Sequence, residues 1–296
     1  MGYRPVGARH KGWIFARRGD RAAVMARPRT AIGSSGSTIK AHTLSAILRM
    51  LLRHGHISRV RLARLTGLSA TTITNLVADL LAQGVVVEDE EGWPDERQRR
   101  GVGRPQVALR LVPEARYAVG VHIGVGSVRV AVTDLLGRPW PVLSLDHPLE
   151  HSPEEVLTAT ARMVREALAQ GGVEPTRVLG LGVGASGLVD PATGVNVVAP
   201  NLGWREVPIR DWFSGQLGLP VRVDNNVRAM ALGEALFGLG QDVYSLAFVY
   251  ARVGVGAGIV VDGQLYHGGG AGAGEIGHMT ILPDDGDICR CGNRGC

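Results

Sequence analysis

Apolar residues recur at helical spacing between residues 43 and 83. In the first part of this segment they fall at i, i+3, i+4 and i+7, which predicts one buried stripe along a helix. These residues are Leu44, Ile47, Leu48 and Leu51. A break follows at residues 54–56, after which Ser58 is placed to cap a short second helix whose inner face carries Leu62 and Leu65.

A third helix follows a tight turn at residues 66–68, with Ser69 as its cap. Its predicted core stripe is Ile73, Leu76, Val77, Leu80 and Leu81. Gly84 ends the helix. Short apolar runs at residues 85–87 and 107–111, separated by a polar loop, then predict a two-stranded wing. The pattern therefore predicts a winged helix-turn-helix over residues 40–112.

From Tyr117 onward the pattern changes to short apolar strands and amphipathic helices separated by glycine. Strands are predicted at residues 117–123, 128–134, 140–145, 178–183, 221–223, 244–250 and 257–261. Helices are predicted at residues 153–170, 205–217 and 225–237. Strands that alternate with helices in this way predict an α/β fold for this part of the chain.

No segment of the 296-residue chain has the apolar length of a membrane span, which is about 18 residues. The first forty residues are basic and rich in Gly, Pro and Ser, and they lack the apolar stretch of a secretory signal. The sequence therefore predicts a cytoplasmic protein with no membrane partner. Residues 1–39 show no sustained periodicity, which predicts a disordered basic arm or reflects a start codon placed too early.

Positive charge is concentrated in the N-terminal third of the chain. Residues 1–110 contain 19 Lys and Arg against 8 Asp and Glu, a balance of +11, whereas the remainder has a balance of −6. A solvated basic tail accounts for residues 4–29, but basic residues continue through the predicted helices. The asymmetry therefore favours a polyanion, such as double-stranded DNA, as the partner of this third.

The predicted third helix presents polar side chains at its N-terminal end once its apolar stripe faces the core. These residues are Ser69, Thr71, Thr72, Thr74 and Asn75. Hydroxyls and a carboxamide at this end of a helix can reach base edges and phosphates in a major groove. In the wing, Arg100 and Arg104 are further candidate contacts, the second in a Gly-rich segment that could follow a minor groove. A small helical dimerisation domain with a basic surface is the alternative.

Several segments resemble the ROK family of repressors, sugar kinases and uncharacterised reading frames. The stretch ISRVRLARLTGLSATTITNLVADLLAQGVV is similar to the winged helix of its repressor branch, the xylose-type and N-acetylglucosamine-type regulators, and GVGRP is similar to the wing. GVGASGLVDPATG resembles the sugar-side loop, ARVGVGAGIVVDGQLYHGGGAGAGEIGH the glycine-rich family pattern, and CRCGNRGC the zinc motif. The resemblance implies an actin-like, ribonuclease H-like sugar-kinase fold over residues 115–296. The second lobe of that fold is expected to be incomplete, because the family fold continues past the zinc motif.

Departures from the family kinases bear on catalysis. Where these kinases have a phosphate loop of the form GxDxGGTK, this chain has His122 in place of Asp, and Val125, Gly126 and Ser127 in place of Gly, Thr and Lys. Where they carry the catalytic Asp of ENDAN, the same register contains Asn226. A carboxamide cannot accept a proton at neutral pH, so the kinase-like domain is predicted to be catalytically inactive.

A bound sugar needs several polar groups that converge on its hydroxyls. The resemblance implies that Gly187, Asn201, Asn225, Asn226, Glu275 and His278 surround such a ligand. The expected effector is a small sugar or a sugar phosphate. A hydrogen-bonded pair within a turn is the alternative for Glu275 and His278, and a tight strand turn is the alternative for the glycines at positions 254, 256 and 258.

All three cysteines of the chain lie within its last eight residues, as Cys289-x-Cys291 followed by Cys296. Together with His278 they offer one imidazole and three thiolates, which is a common closed ligand set for structural zinc. The resemblance to the family zinc motif favours a zinc site. Three reduced thiols near a flexible C-terminus are the alternative.

These features together predict a DNA-binding transcriptional repressor of sugar-metabolism genes that responds to a small sugar and forms a homodimer or a higher homo-oligomer. One alternative is an active ROK sugar kinase, phosphorylating hexoses with ATP, with an appended DNA-binding module. A non-functional fragment is a third possibility, since the chain ends directly after the zinc motif and is expected to be truncated or to have lost half a lobe.

Overall fold

The N-terminal unit of the computed structural model contains three helices. Across the chain, the structure describes residues 36–89, 107–149, 151–270 and 272–296. The helices are α1 (Gly36–His54), α2 (Arg59–Thr66) and α3 (Ala70–Ala82). α1 therefore begins within the segment 1–39 that was predicted to be an arm, and residues 1–35 lie outside the described part of the chain.

Side-chain caps start α2 and α3, as predicted. The Ser58 hydroxyl accepts a hydrogen bond from the Arg61 N–H at 3.2 Å, and the Ser69 hydroxyl accepts one from the Thr72 N–H at 3.1 Å. Gly67, between the two helices, has a φ of 69°, a left-handed conformation that glycine adopts without steric cost. These local interactions fix where the turn of the helix-turn-helix begins and ends.

A three-stranded antiparallel sheet completes this unit. Its strands are β1 (Ile57–Ser58), β2 (Val86–Asp89) and β3 (Ala108–Leu111), in the order β1-β3-β2. β2 and β3 are the two predicted wing strands, whereas β1 was not predicted. The loop between β2 and β3, which carries Arg100 and Arg104, lies outside the described residues.

The apolar stripes of the three helices form one core with this sheet. Its most deeply buried members are Ile47, Leu51, Ile57, Leu62, Ile73, Val77, Val86 and Leu109. Burying a side chain of this size stabilises the folded state by about 1.5–3 kcal/mol relative to leaving it exposed. The predicted stripe of α3 is confirmed, except that Leu81 is only partly buried at the edge of the core.

A five-stranded mixed sheet forms the centre of the first lobe of the α/β part. Its strands are β4 (Tyr117–Gly124), β5 (Ser127–Asp134), β6 (Pro139–Asp146), β7 (Val178–Ala185) and β11 (Val221–Asn225). They lie in the order β11-β7-β4-β5-β6. β5 runs antiparallel to β4 and β6, and β7 runs parallel to β4 and β11. All five strands were predicted from the sequence.

Two helices, α4 (Pro153–Gln170) and α5 (Ile209–Leu217), pack with this sheet. A capping box starts α4: the Ser152 hydroxyl accepts a bond from the Glu155 N–H, and the Glu155 carboxylate accepts one from the Ser152 N–H at 2.7 Å. The hydrogen bonds from the Ser152 backbone and side chain hold the pKa of Glu155 below its usual value. The helix predicted at residues 153–170 is confirmed.

A small antiparallel sheet lies beside the first lobe. It consists of β8 (Leu188–Asp190), β9 (Val195–Ala199) and β10 (Trp204–Val207), in the order β10-β9-β8. The prediction of a helix from Arg205 was wrong, because Arg205 lies in β10 and α5 begins only after Pro208. Proline restricts the residue before it to extended conformations, which keeps Val207 in the strand.

The second lobe contains α6 (Asn226–Phe237) and a three-stranded antiparallel sheet. The strands are β12 (Ser245–Ala251), β13 (Val255–Val261) and β14 (Gln264–Leu265), in that order. α6 packs against β12 and β13, so closely that a Cβ on Gly258 would collide with Ala231. Gly256 also faces α6, at Val227. Gly258 therefore permits the helix–sheet packing, whereas a Cβ on Gly256 would make only an ordinary contact with Val227, and both residues lie within β13 rather than in a turn.

Within the described ranges, no single helix has the length and apolar character needed to cross a membrane. Only α2 and α3 taken together meet that measure, and they are bent by 119° relative to each other.

Candidate DNA-binding surface, ligand site and metal centre

The N-terminal end of α3 forms an exposed polar surface. Its predicted DNA-contacting residues are Ser69, Thr71, Thr74 and Asn75, which are exposed, and Thr72, which is half-buried. Two of the hydroxyls already take part in the helix: Thr72 Oγ1 lies 2.8 Å from Ser69 Oγ, and Thr74 Oγ1 donates to the Ala70 carbonyl at 2.9 Å. The Asn75 carboxamide and the Thr71 hydroxyl are therefore the stronger candidates for contact with base edges.

Arginines of α2 add positive charge beside α3. Arg61 and Arg64 are exposed, whereas Arg59 pairs with Glu88 at 2.8 Å. Phosphate contacts commonly come from such arginines on the helix that precedes the recognition helix. These two arginines were not among the predicted DNA contacts, although they alternate with Leu62 and Leu65 in the sequence. Arg100 and Arg104 lie outside the described residues and remain predictions.

The candidate ligand site is centred on the junction of β11 and α6. Asn225 Oδ1 accepts hydrogen bonds from the N–H groups of Val227 and Arg228 at 2.8 and 3.2 Å, which caps α6. Asn225 Nδ2 donates to the Gly187 carbonyl at 2.9 Å. The structure thus brings together two residues that the family resemblance implies for one site, and Asn225 holds the loop before β8 against the start of α6.

Asn226, at the position of the kinase base, is buried and its amide orientation is fixed. Its Oδ1 accepts from the Val227 N–H at 2.9 Å, so its Nδ2 faces Ser186 Oγ at 3.2 Å and His122 Nε2 at 3.4 Å. Because Nδ2 can only donate, His122 Nε2 must accept, which assigns the ring proton to Nδ1. Burial, and to a smaller extent the charge of Arg129, lowers the pKa of His122 and favours this neutral ring.

His122 presents an unsatisfied donor beside Asn226. Its Nδ1 is buried and has no hydrogen-bond partner among the described residues. Leaving a buried donor unsatisfied costs about 1–3 kcal/mol. From the sequence, His122 was noted only as the replacement for the Asp of the kinase phosphate loop. Its contact with Asn226 was not predicted, because residues 122 and 226 meet only across the sheet.

A buried ion pair supports this junction and was not predicted. Arg228 is 1% exposed; its Nε lies 2.6 Å from Asp224 Oδ1, and its Nη2 donates to the Val189 carbonyl at 2.9 Å. His267 Nε2 lies 2.8 Å from the other oxygen of Asp224. The network connects β8, β11 and the segment after β14 to the first turn of α6. Breaking such a buried pair by removing one partner typically costs about 3–5 kcal/mol.

Glu275 and His278 lie on a loop that is fixed to β13. The loop contains the short 3-10 helix Ile276–His278, and the Gly274 carbonyl accepts a hydrogen bond from the Ala257 N–H at 2.7 Å. Glu275 is half-buried, and burial raises its pKa, against the opposing charges of His278 and Arg228. The carboxyl group therefore lies within reach of the charge of Arg228, near the β11–α6 junction.

His278 lies together with the three cysteines. One ring nitrogen of His278 and the Sγ atoms of Cys289, Cys291 and Cys296 all lie within 4.8 Å of one another. Cys289 Sγ is 3.7 Å from His278 Nδ1, and Cys291 Sγ is 3.8 Å from Cys296 Sγ. Sulfur ligands at about 2.3 Å from a tetrahedral zinc ion are about 3.8 Å apart. Donor set and spacing both fit a zinc ion.

The cysteine segment is also linked to a predicted ligand residue. Asn201 Oδ1 accepts a hydrogen bond from Arg290 Nη1 at 3.1 Å, and Arg290 stands between Cys289 and Cys291. Hydrogen bonds from the backbone and thiol of Cys291 lower the pKa of Cys289 to about 7, whereas desolvation and the neighbouring thiols of Cys291 and Cys289 raise the pKa of Cys296 to about 11. The structure therefore connects Asn201 to the candidate metal centre rather than directly to Asn225.

The fold and these sites define a winged helix-turn-helix joined to an α/β domain of the sugar-kinase type. Residues 118–296 match the model described as ROK family, and residues 32–87 match the model described as winged helix-turn-helix DNA-binding. The chain belongs to the ROK family. The family and the fold predicted from the sequence are thereby confirmed.

The proteins that this chain resembles include both transcriptional regulators and sugar kinases. A putative xylose repressor from Caldicellulosiruptor sp. (strain Rt8B.4) is 35% identical over 84% of this chain and 61% of its own length. The solved structure of a ROK family transcriptional regulator, a homologue of the E. coli MLC protein, gives a TM-score of 0.71 at 28% identity, over 87% of this chain and 63% of that one. A ROK family glucokinase from Streptomyces griseus, solved with glucose and AMPPNP, gives 0.56 at 33% identity, over 61% and 55%. The chain thus spans about three fifths of the length of the curated relatives it matches.

Proposed function

We propose that this chain is a DNA-binding transcriptional repressor of sugar-metabolism genes, and that a small sugar or sugar phosphate alters its affinity for an operator. The observation that carries the proposal is the exposed polar end of α3 on a fully formed winged helix-turn-helix core. Similarity to a xylose repressor and to a ROK transcriptional regulator supports it. The proposed assembly is a homodimer in the cytoplasm, with two α3 helices that read half-sites about 34–36 Å apart.

The proposed ligand residues are Gly187, Asn201, Asn225, Asn226, Glu275 and His278. Ser186 and His122 join them, because both are hydrogen-bonded to Asn226. The Ser186 hydroxyl accepts from Asn226 and keeps its own proton to donate, and Glu275 is an acceptor. Such alternating donors and acceptors suit the hydroxyls of a sugar.

A sugar kinase with an appended DNA-binding module is the second candidate, and the similarity to a ROK glucokinase favours it. The amide of Asn226 argues against it, since both its atoms are engaged and neither can take a proton from a sugar hydroxyl. We therefore infer that the kinase-like domain binds its ligand without phosphorylating it.

The cluster of His278, Cys289, Cys291 and Cys296 is proposed to hold one structural zinc ion. With three thiolates and an imidazole the site would be closed, so the metal would shape the protein rather than act on a substrate. Because Arg290 of this segment bonds Asn201, and His278 follows Glu275 on one loop, the metal would keep several proposed ligand residues in register.

Metal analysis of protein kept reduced and free of chelator should find about one zinc per chain. Cys291→Ser is expected to lose the metal and, with it, any effect of sugar on DNA binding. Asp284→Ser, an exposed position in the same segment, serves as the control and should retain both. Absence of stoichiometric zinc from the wild-type protein would remove the proposed site.

Selection of bound duplexes from a random pool, repeated in the presence of a panel of sugars, tests the proposed function. The expected enriched sequences are pseudo-palindromes with half-sites spaced by the helical repeat, because a two-fold dimer reads the two halves alike. One sugar of the panel should change the yield of bound duplex. No enrichment over the input pool contradicts DNA recognition, whereas enrichment that no sugar alters contradicts only the effector.

A further inference from the structure

α1 contacts the second lobe as well as its own unit. Arg49 Nη1 donates a hydrogen bond to the Gly263 carbonyl at 2.7 Å, and Arg49 is half-buried there. One turn further along, Arg53 Nη2 lies 3.4 Å from Asp242 Oδ1, but the Asp242 side chain is 91% exposed, so this pair is weak. Among the described residues, the Arg49 contact is therefore the stronger polar link between α1 and the second lobe.

Gly263 lies in a turn of fixed geometry. Asp262 and Gly263 form the two-residue connection between β13 and β14, with φ angles of 55° and 69°, and Val261 pairs with Gln264 across it. Positive φ at both central residues is the type I′ turn that matches the twist of a hairpin. The carbonyl group that Arg49 contacts therefore moves with β13 and not as part of a free loop.

The other end of β13 holds the loop of Glu275 and His278, through the hydrogen bond between the Ala257 N–H and the Gly274 carbonyl. From Ala257 to Val261 a strand covers about 14 Å. One rigid element thus connects the proposed ligand loop to the turn that Arg49 contacts.

The winged helix also packs against the first lobe. Leu135 and Leu136, in the turn between β5 and β6, contact its apolar core, and the Leu135 N–H donates to the Pro113 carbonyl at 3.0 Å. Because the unit contacts both lobes, a change in the angle between the lobes must alter at least one contact. Separating the apolar first-lobe contact would expose hydrocarbon to water, so the polar Arg49 contact is the one expected to change.

We propose that the hydrogen bond between Arg49 and Gly263 couples the ligand site to the DNA-binding surface, an inference that rests on the proposed function. A ligand that shifts the Glu275 loop displaces β13 and its turn, which alters the Arg49–Gly263 hydrogen bond and so the restraint that this bond places on α1. α1 in turn packs in one apolar core with α2 and α3, whereas its ion pair with α3, between Lys40 and Asp79, is exposed and contributes little. Coupling of this kind is reciprocal, so DNA bound at α3 changes the affinity for the ligand by the same factor as the ligand changes the affinity for DNA.

The test compares the full chain with Arg49→Met, which keeps the aliphatic stem and removes the guanidinium donors. Lys40→Met is the matched control, since it removes an equal charge from the same helix at a residue that pairs with Asp79. The Kd for a selected duplex is measured without sugar and with D-xylose, D-glucose, N-acetyl-D-glucosamine and their phosphates. The ratio of the two Kd values should be about 5–150 for the wild type and Lys40→Met, and within about twofold of 1 for Arg49→Met.

Hydrogen exchange over residues 255–266 gives a second readout that needs no sugar. Bound duplex should change the protection of these amides in the wild type and in Lys40→Met, and leave it unchanged in Arg49→Met. An Arg49→Met variant that keeps the wild-type Kd ratio or exchange response overturns the coupling and leaves the proposed function standing. If the duplex binds but no sugar alters the affinity, the hydrogen-exchange result alone decides whether Arg49 couples the second lobe to the DNA-binding surface. A wild-type chain that binds no duplex overturns the proposed function and the coupling with it.

Discussion

Raising the salt concentration from about 50 to about 200 mM is expected to weaken binding of duplex DNA by about 10³–10⁵-fold. That range corresponds to roughly 6–10 neutralised phosphates. Two winged helices of the proposed dimer can reach this number, because each presents Arg61 and Arg64 beside the exposed N-terminus of α3 and the first 110 residues carry a balance of +11. Fluorescence anisotropy of a labelled duplex over a salt series measures the slope, which counts the phosphates.

The controls for this experiment separate affinity from base preference. Asn75→Ala is expected to remove about 1–3 kcal/mol of discrimination between bases, since a carboxamide can bond a base edge through two atoms. Arg104→Ala should relax base preference less than Asn75→Ala does. Thr74→Ala is the matched control on α3, because the Thr74 hydroxyl already donates to the Ala70 carbonyl. Binding that is insensitive to salt, or no binding, contradicts a repressor function.

The helices of the DNA-binding unit could be predicted because local sequence features, the spacing of apolar residues and the capping residues, determine where they form. In α3 the spacing of Ile73, Leu76, Val77 and Leu80 defines one face, and these four side chains are buried. Ser69 can satisfy a free N–H at the start of the helix, and it does so. Where the helical spacing of apolar residues and the capping residue indicate the same helix, the predicted and observed helix bounds agree to within about two residues.

The elements that were not predicted from the sequence form either through contacts with residues far away in the chain or, for β10, next to a proline whose effect on the helix start was overlooked. β1 is two residues long, too short for an alternating pattern, and it forms because Ile57 pairs with Leu109 about fifty positions along the chain. The first turn of α1 has no apolar stripe of its own and extends a helix that is already packed. β10 is different, since Pro208 within the predicted helix marked where a helix could begin.

Motif positions identified much of the candidate site, but not how its residues are connected. The register of Asp224, Asn225 and Asn226 could be read from the family pattern, and the cysteine spacing indicated the metal cluster. The contact between Asn226 and Ser186, forty residues apart, depends on how the loop after β7 meets the start of α6. The bond between His267 and Asp224 likewise crosses between elements. Such contacts follow from topology and leave no periodic trace in one sequence.

No ATP-dependent phosphorylation of hexoses by this chain is expected above a no-protein control. In the folded chain Asn226 Oδ1 accepts the Val227 N–H, and Asn226 Nδ2 faces Ser186 and His122, so the amide cannot receive a proton from a sugar hydroxyl. General-base catalysis contributes about 10²–10⁴-fold in rate, which is the loss expected from this residue alone. Mass spectrometry of the sugar, together with release of ADP, measures the product directly.

Restoring the carboxylate alone should not restore turnover. Asn226→Asp supplies a base, but Val125, Gly126 and Ser127 remain where the family kinases have the Gly, Thr and Lys of the phosphate loop. Without those donors the transferred phosphoryl group is neither positioned nor stabilised, so Asn226→Asp is expected to be as inactive as the wild type. Asn226→Ala is the third variant and removes the carboxamide altogether. Phosphorylation by the wild type that Asn226→Ala abolishes would show that the carboxamide supports catalysis after all, and would replace the repressor with a kinase as the better description of this domain.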